Sequence, residues 1–194
     1  MAFKVNKRGF LGTAIHWGFA KVKETLTKII KTLLEVLMAK SIQQWLDEYG
    51  ASHQNKTNKR IHWFCVPQIF WTVMAALYVI PVPNVMAEIS PHFNWAVVMA
   101  VFSILFYIRL SVSLAIGMAV FTALCYWLVL GFESVFPGYL LWFAGIWFVV
   151  LWALQFYGHE VEGKKPSFFK DLQFLMIGPA WLMSFIYQKI GLKY

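Results

Sequence analysis

The run WFCVPQIFWTVMAALYVI, residues Trp63–Ile80, decides the fold class of this chain of 194 residues. It holds 18 residues without a single charged side chain. As an α-helix with a rise of about 1.5 Å per residue it would be about 27 Å long. The hydrocarbon core of a bilayer is about 30 Å thick. The run therefore predicts a transmembrane helix.

The composition of the whole chain agrees with a membrane location. It is 60% hydrophobic and 13% charged, whereas about a quarter of the residues in a soluble domain are charged. The net charge is +8, and eleven of the seventeen Lys and Arg residues precede Trp63. This basic region contains no nucleic-acid-binding motif. We therefore expect anionic membrane lipids as its partner and no nucleic acid.

Three further apolar runs predict additional spans. Phe93–Ile108 and Leu110–Leu130 are separated only by Arg109, so they form either two spans with a tight turn or one long helix. One helix through both runs would be about 57 Å long, nearly twice the hydrocarbon thickness. Length therefore favours two spans. Tyr139–Tyr157 is the fourth predicted span.

The last apolar run, Leu172–Ile186, differs from the other four. It is short, and Gly178-Pro179 interrupts it. A segment of this kind is typical of a half-span or a re-entrant segment. The chain is therefore predicted to be an all-α integral membrane protein with four transmembrane helices and a C-terminal half-span or re-entrant segment.

The part of the chain before the first span has a different character. Residues 24–46 carry apolar side chains at helical spacing, with lysines on the opposite side. This pattern predicts an amphipathic interfacial helix in the headgroup layer, and a helix packed on the bundle is the alternative. Residues 1–23 form a basic N-terminal extension. Residues 47–194 form the predicted membrane domain.

The cations also predict the orientation. They occur in the N-terminal region, at Arg109 and in the loop after His159, while the two loops on the opposite side have none. Cytoplasmic loops carry the excess of Lys and Arg. The N-terminus is therefore predicted to be cytoplasmic, in the inner membrane of a bacterium or the endoplasmic reticulum of a eukaryote.

With four spans, three distant histidines come to the same cytoplasmic end. His53 and His62 are nine positions apart, so on one straight helix they would face opposite ways. The intervening asparagines favour a break between them. Asn58 and His62, four residues apart, would then share one helix face. His159 would come to the same end from the fourth span.

Residue type and spacing suggest a metal for these histidines. His159 and Glu162 are three residues apart and would share a helix face. Imidazole together with carboxylate is typical of non-haem Fe(II) sites. The predicted ligands are His53, His62 and His159, with Glu162 as a fourth ligand or as a partner that orients an imidazole. Interfacial histidines also bind headgroups, and spacing alone leaves both interpretations open.

Two segments, HQNKTNKRIHWFCVP and QFYGHEVEGKKPSFFKDLQFLMIGPAW, resemble the Mpo1-like family of small membrane proteins. The resemblance covers roughly residues 40 to 190. Its motif positions are His53, Asn58, Ile61, His62, Pro67, Gly158, His159, Glu162 and Pro166. The chain departs from the pattern at Cys65, where glycine is expected, and in its N-terminal extension.

The resemblance implies an Fe(II)-dependent dioxygenase that uses O2 to remove one carbon from a 2-hydroxy fatty acid, with the histidines as iron ligands. Asn58 would support the site by hydrogen bonding. Lys59 and Arg60, with Lys56, would attract the acid headgroup, although simple anchoring at the cytoplasmic surface is an equal alternative. The rival function is a non-enzymatic membrane scaffold with interfacial histidines. A transporter is less favoured because no span carries a central charge.

Overall fold

The computed structural model of the chain describes residues Glu24, Thr27 and Lys28 and the ranges 40–90, 92–163 and 174–194. The chain divides into two units, Met1–Ser41 and Ile42–Tyr194, and the second is described here. The basic extension 1–23, most of the predicted helix 24–46, and the lysines at 164, 165 and 170 lie outside the described residues.

The described part of the second unit is all-helical, with seven helices and no strand. This agrees with the predicted all-α class. The helices are α1 (Ile42–Gly50), α2 (Lys56–Tyr78), α3 (Asn84–Ile89), α4 (Trp95–Leu110), α5 (Val112–Val135), α6 (Leu140–Glu162) and α7 (Ile177–Lys189).

Within the described residues, three helices are long and apolar enough to cross a membrane, namely α2, α5 and α6. Large apolar side chains are exposed along them: Val120, Trp127 and Trp142 are each about two-thirds exposed or more. Such surfaces suit contact with lipid. Helix α4, the predicted second span, has 16 residues and is therefore about 24 Å long. The second predicted span, and with it the total of four, therefore stays a prediction.

Helices α4 and α5 form an antiparallel hairpin, which supports two segments over one long helix. Asn94, before α4, donates a hydrogen bond to the hydroxyl of Tyr126 on α5 at 3.0 Å. The turn lies at Ser111 and not at the predicted Arg109. The hydroxyl of Ser111 accepts a hydrogen bond from the backbone N–H of Leu114 at 3.2 Å. The turn falls there because this side chain caps α5.

Helix α7 lies inside the bundle. It has 13 residues, or about 20 Å of helix, which is too short to cross a bilayer alone. The hydroxyl of Tyr187 donates to the carbonyl of Ser113 at 2.8 Å and accepts from the N–H of Gly117 at 3.1 Å. At the other end, the hydroxyl of Tyr107 donates to the carbonyl of Met176 at 2.6 Å. Both ends of α7 are thus held by the α4–α5 hairpin.

Helix α1 differs from the predicted amphipathic helix in its boundaries. The chain bends at Lys40, and α1 begins at Ile42. Its buried side chains Trp45, Leu46 and Tyr49 share one face. This face packs on α7. Leu46 therefore belongs to a separate short helix that continues to Gly50.

The antiparallel packing of α2 against α6 positions the site. In the middle of the bundle, Cys65 and Ile69 of α2 cluster with Leu151 and Trp152 of α6. Towards the end of α2, other apolar residues meet the start of α6. The start of α2 must therefore lie beside the end of α6, and these two ends carry the predicted site residues.

Candidate metal centre

Three histidines from three parts of the chain converge at this end of the bundle. His53 lies in the loop between α1 and α2, His62 in the second turn of α2, and His159 in the last turn of α6. Their exposed fractions are 2%, 1% and 5%. The predicted break between His53 and His62 is confirmed, because α1 ends at Gly50 and Asn55 caps the start of α2.

The three imidazoles are close enough to share one ion. One nitrogen from each of His53, His62 and His159 lies within 4.8 Å of the other two. The ring centroids of His53 and His62 are 4.2 Å apart. The ring centroid of His159 lies 5.0 Å from that of His62 and 5.2 Å from that of His53. Among the described residues, this is the group of His, Cys, Asp and Glu side chains arranged to hold a metal.

Backbone carbonyls fix the tautomer of two of these rings. Nδ1 of His53 lies 2.6 Å from the carbonyl oxygen of Tyr49, and Nδ1 of His62 lies 3.0 Å from that of Asn58. A carbonyl can only accept a hydrogen bond, so each Nδ1 must carry the proton. Nε2 of each neutral ring is then left with its lone pair, as in many metal-binding histidines.

Nε2 of His53 is buried and has no hydrogen-bond partner in the described part of the chain. Buried polar atoms are rarely left in this state, and an unobserved ion is one explanation. Burial lowers the pKa of His53 to about 4, and nearby His159 acts in the same direction. The ring is therefore neutral at pH 7 and its lone pair is available for a metal.

Aromatic side chains enclose the cluster from the side of α1 and α7. The ring of Tyr49 stacks on His53 with a centroid distance of 4.2 Å and an interplanar angle of 11°. The ring centroid of Trp181 on α7 lies 5.4 Å from that of the same imidazole. These contacts restrict rotation of the His53 ring, which projects from a loop. Neither aromatic residue was predicted from the sequence.

Glu162, predicted as a fourth ligand or as a partner that orients an imidazole, is not part of the three-histidine group, and its role at the metal stays a prediction. Its carboxylate accepts hydrogen bonds from the backbone N–H groups of Gln54 and Asn55, both at 2.8 Å. The side-chain amide of Asn58 donates to it at 3.2 Å. The carboxylate therefore caps the start of α2, where a negative charge is favourable. These hydrogen bonds of Glu162 connect the loop that carries His53 to the end of α6.

Asn58 links the components of the site. It is fully buried, and its amide nitrogen also donates to the carbonyl of Ser52 at 3.2 Å. Its backbone carbonyl is the acceptor for His62. One residue thus contacts the His53 loop, the His62 ring and the carboxylate of Glu162.

Gly158 allows the close approach of α6 to α2 at this level. A Cβ atom added to it would lie 2.5 Å from Oδ1 of Asn58 and 3.4 Å from Cδ1 of Ile61. Real Cβ contacts are essentially never that short, so glycine is required for this packing. The residue next to it is His159, whose position therefore depends on the contact.

The cations predicted to meet a substrate lie at the start of α2. Lys59 is half-buried and Arg60 is exposed. The positive charge of Lys59 makes a small contribution, after burial and His159, to lowering the pKa of His53. His92, by contrast, is exposed in the loop before α4.

The donor set is suitable for a divalent transition metal. Imidazole ligands suit Zn, Fe, Cu or Ni. Nitrogen ligands bound to one such ion at about 2.1 Å lie at most about 4.2 Å apart, so a small inward movement of the rings is sufficient. Three protein ligands also leave coordination positions open, as in catalytic metal sites.

Comparison with known protein families identifies a match over most of the chain. The model of the family described as Mpo1-like, 2-hydroxy-palmitic acid dioxygenase Mpo1-like, matches residues 39–190. No curated protein and no solved structure matches the chain. The matched range includes all three histidines, Asn58 and Glu162.

Proposed function

The chain belongs to the Mpo1-like family, and we propose that it is an Fe(II)-dependent dioxygenase that shortens 2-hydroxy fatty acids by one carbon. His53, His62 and His159 would hold the iron. When bound, Fe(II) would supply a redox centre with open positions for the hydroxyl and carboxylate of the substrate and for O2.

The proposed reaction balances without a second electron donor. 2-Hydroxypalmitic acid and O2 give pentadecanoic acid, carbon dioxide and water. The C1–C2 bond breaks, C1 leaves as carbon dioxide, and C2 becomes the new carboxyl carbon. O2 takes up all the electrons that this oxidation releases. The proposal therefore predicts one O2 consumed per molecule of fatty acid.

The protein would contribute position and charge. The carbonyls of Tyr49 and Asn58 keep Nε2 of two imidazoles free for the metal. Lys59 and Arg60 would attract the substrate carboxylate, each contributing on the order of 1 kcal/mol near an anionic surface. With the carboxylate near these cations, the acyl chain would extend into the apolar bundle or the lipid around it.

The observation that carries the proposal is the convergence of three buried imidazoles from separate parts of the chain. An enzyme requires such convergence, whereas a scaffold with interfacial histidines does not. Buried polar side chains are also costly unless they are satisfied, so a membrane anchor would not need them in this position. The geometry supports the enzyme over the scaffold.

The test is turnover by the purified full chain. Protein in detergent is loaded with Fe(II) without oxygen, and O2 uptake is then measured with 2-hydroxypalmitate and with palmitate. We expect equal amounts of O2 consumed and fifteen-carbon acid formed from 2-hydroxypalmitate, and little uptake with palmitate, which lacks one chelating oxygen. Equal turnover of both acids would refute the proposal.

A further inference from the structure

A small cavity adjoins the histidine group on the side of the bundle interior. Its volume is about 30 Å³, and His62 forms part of its wall. Val66 and Ile69 follow on α2, and Gln155 and Trp152 line it from α6. Because α2 and α6 are antiparallel, both sets of residues run away from the histidines into the bundle. The cavity therefore begins beside the metal position and extends inward.

Gln155 is a buried amide in this otherwise mainly apolar wall. Its exposed fraction is 8%, and it lies four residues before His159, on the same face of α6 and about 6 Å deeper along the helix axis. Its side chain forms part of the cavity wall. An amide in such a wall can form a hydrogen bond with a polar group that enters the cavity, and an apolar group in the same place would offer it no partner.

The layout of charge indicates which polar group this is. Lys59 and Arg60 lie at the start of α2, on the outer side of the histidines, where an acid headgroup would be held. Gln155 lies on the inner side, towards the acyl chain. In a 2-hydroxy acid, the atom next to the carboxylate on that side is C2 with its hydroxyl group.

We infer that Gln155 is a specificity-determining residue whose amide oxygen accepts a hydrogen bond from the 2-hydroxyl group of the substrate. The inference rests on the proposed function and adds to it a residue that distinguishes 2-hydroxy acids from simple fatty acids. Palmitate in the cavity would offer the amide no hydrogen-bond partner, and leaving a buried polar group unpaired is what disfavours the wrong ligand.

Equilibrium binding without oxygen tests this residue separately from catalysis. The dissociation constants of 2-hydroxypalmitate and palmitate are measured for the Fe(II)-loaded full chain by displacement of a fluorescent fatty acid. Gln155→Met keeps the length of the side chain but removes the amide. We expect it to weaken binding of 2-hydroxypalmitate about five- to tenfold, the value of one hydrogen bond. Palmitate should bind as tightly as before or more tightly, because the variant has no amide to leave unpaired.

The matched control is Gln68→Met. Gln68 also lies on a membrane helix, but its amide bonds to Trp147 and to the carbonyl of Phe64, away from the cavity. This variant should bind both acids as the wild type does. Iron content reports whether each variant is folded. If Gln155→Met loses iron, Gln155→Asn, which retains an amide but shortens it, should show the same selective loss for 2-hydroxypalmitate.

The outcomes separate the two claims. If the wild type converts 2-hydroxypalmitate and prefers it to palmitate, but an iron-loaded Gln155 variant keeps the full preference, the role of Gln155 is refuted and the proposed function stands. If the wild type neither prefers nor converts 2-hydroxypalmitate, the proposed function fails and the inference fails with it.

Discussion

Gly158 of α6 faces Asn58 of α2 so closely that a Cβ atom on the glycine would lie 2.5 Å from Oδ1 of the asparagine. This contact sets the separation of the two helices at the level of the histidines. Gly158 is the residue next to His159 in sequence. The backbone carbonyl of Asn58 holds the ring of His62. The distance between two proposed ligands is therefore controlled by the absence of one methyl group.

Gly158→Ala should disrupt the site. The new methyl group must push α6 away from α2, because Asn58 is held by hydrogen bonds and cannot easily move. Overpacking of this kind costs roughly 1–3 kcal/mol. We expect a lower free energy of unfolding in mixed micelles and at least a tenfold weaker affinity for Fe(II).

The matched control for this change is Gly145→Ala on the same helix. A Cβ atom at Gly145 would meet nothing within 4 Å. Alanine is a better helix former than glycine by up to about 1 kcal/mol, so this variant should be as stable as the wild type or more stable. A destabilised Gly145→Ala, or a fully stable Gly158→Ala that binds iron normally, would contradict the account of the helix contact.

Glu162→Gln tests the attachment of the His53 loop to α6. The neutral amide loses charge-assisted hydrogen bonds with the N–H groups of Gln54 and Asn55. The loop should become less ordered, and we expect affinity for Fe(II) to fall about tenfold or more, the range for residues that support metal ligands. Glu160→Gln, in the same turn but exposed, should leave the affinity unchanged. Titration of the apo-protein with Fe(II) distinguishes the two, and equal affinities would argue against the attachment.

Asn58→Asp should lower the free energy of unfolding more than its small change in side-chain size suggests. Its amide nitrogen donates to the carbonyl of Ser52 and to the carboxylate of Glu162, and aspartate would place a second negative charge there. We expect a loss of roughly 2–3 kcal/mol in unfolding free energy. Adding Glu162→Gln should restore about 1 kcal/mol, because the charge repulsion is removed. Strict additivity of the two losses would show that the side chains do not interact as described.

The sequence predicts much of the fold because hydrophobic length and charge placement act over whole segments. The residues at which the helices begin and end were predicted less accurately. The turn between α4 and α5 was predicted at Arg109 because that residue is charged. In the structure the turn lies at Ser111, whose side chain caps α5. A serine inside an apolar run is a weak signal, since serine hydroxyls also bond within helices.

The site was predictable to the extent that it consists of side chains of a distinctive type. The convergence of His53, His62 and His159 was predicted by placing four spans between the regions that carry them, although that number of spans itself stays a prediction. The hydrogen bonds of Glu162 with Gln54, Asn55 and Asn58 were not predicted, because spacing shows which helix face a carboxylate occupies and not which donors compete for it. Gln155 had an available signal, since it is a polar residue in an apolar run, four before His159.

The predicted orientation can be tested by labelling single cysteines from outside sealed vesicles. The native Cys65 and Cys125 are buried and should not react. Asn84→Cys, in the exposed α3, should be labelled by a membrane-impermeant reagent, whereas Thr57→Cys, near the histidines, should react only after permeabilisation. The reverse pattern would place the metal centre on the outer side and refute the cytoplasmic assignment.

The most direct test of the central claim is the iron content of the purified chain and its histidine variants after anaerobic loading with Fe(II). The wild type should hold about one iron per chain, and His53→Ala, His62→Ala and His159→Ala should each lose most of it. His92→Ala is the matched control, because that exposed histidine lies at the other end of the helices, and it should keep the wild-type content. Wild-type iron in all three of the first variants would contradict the claim that these histidines hold the metal.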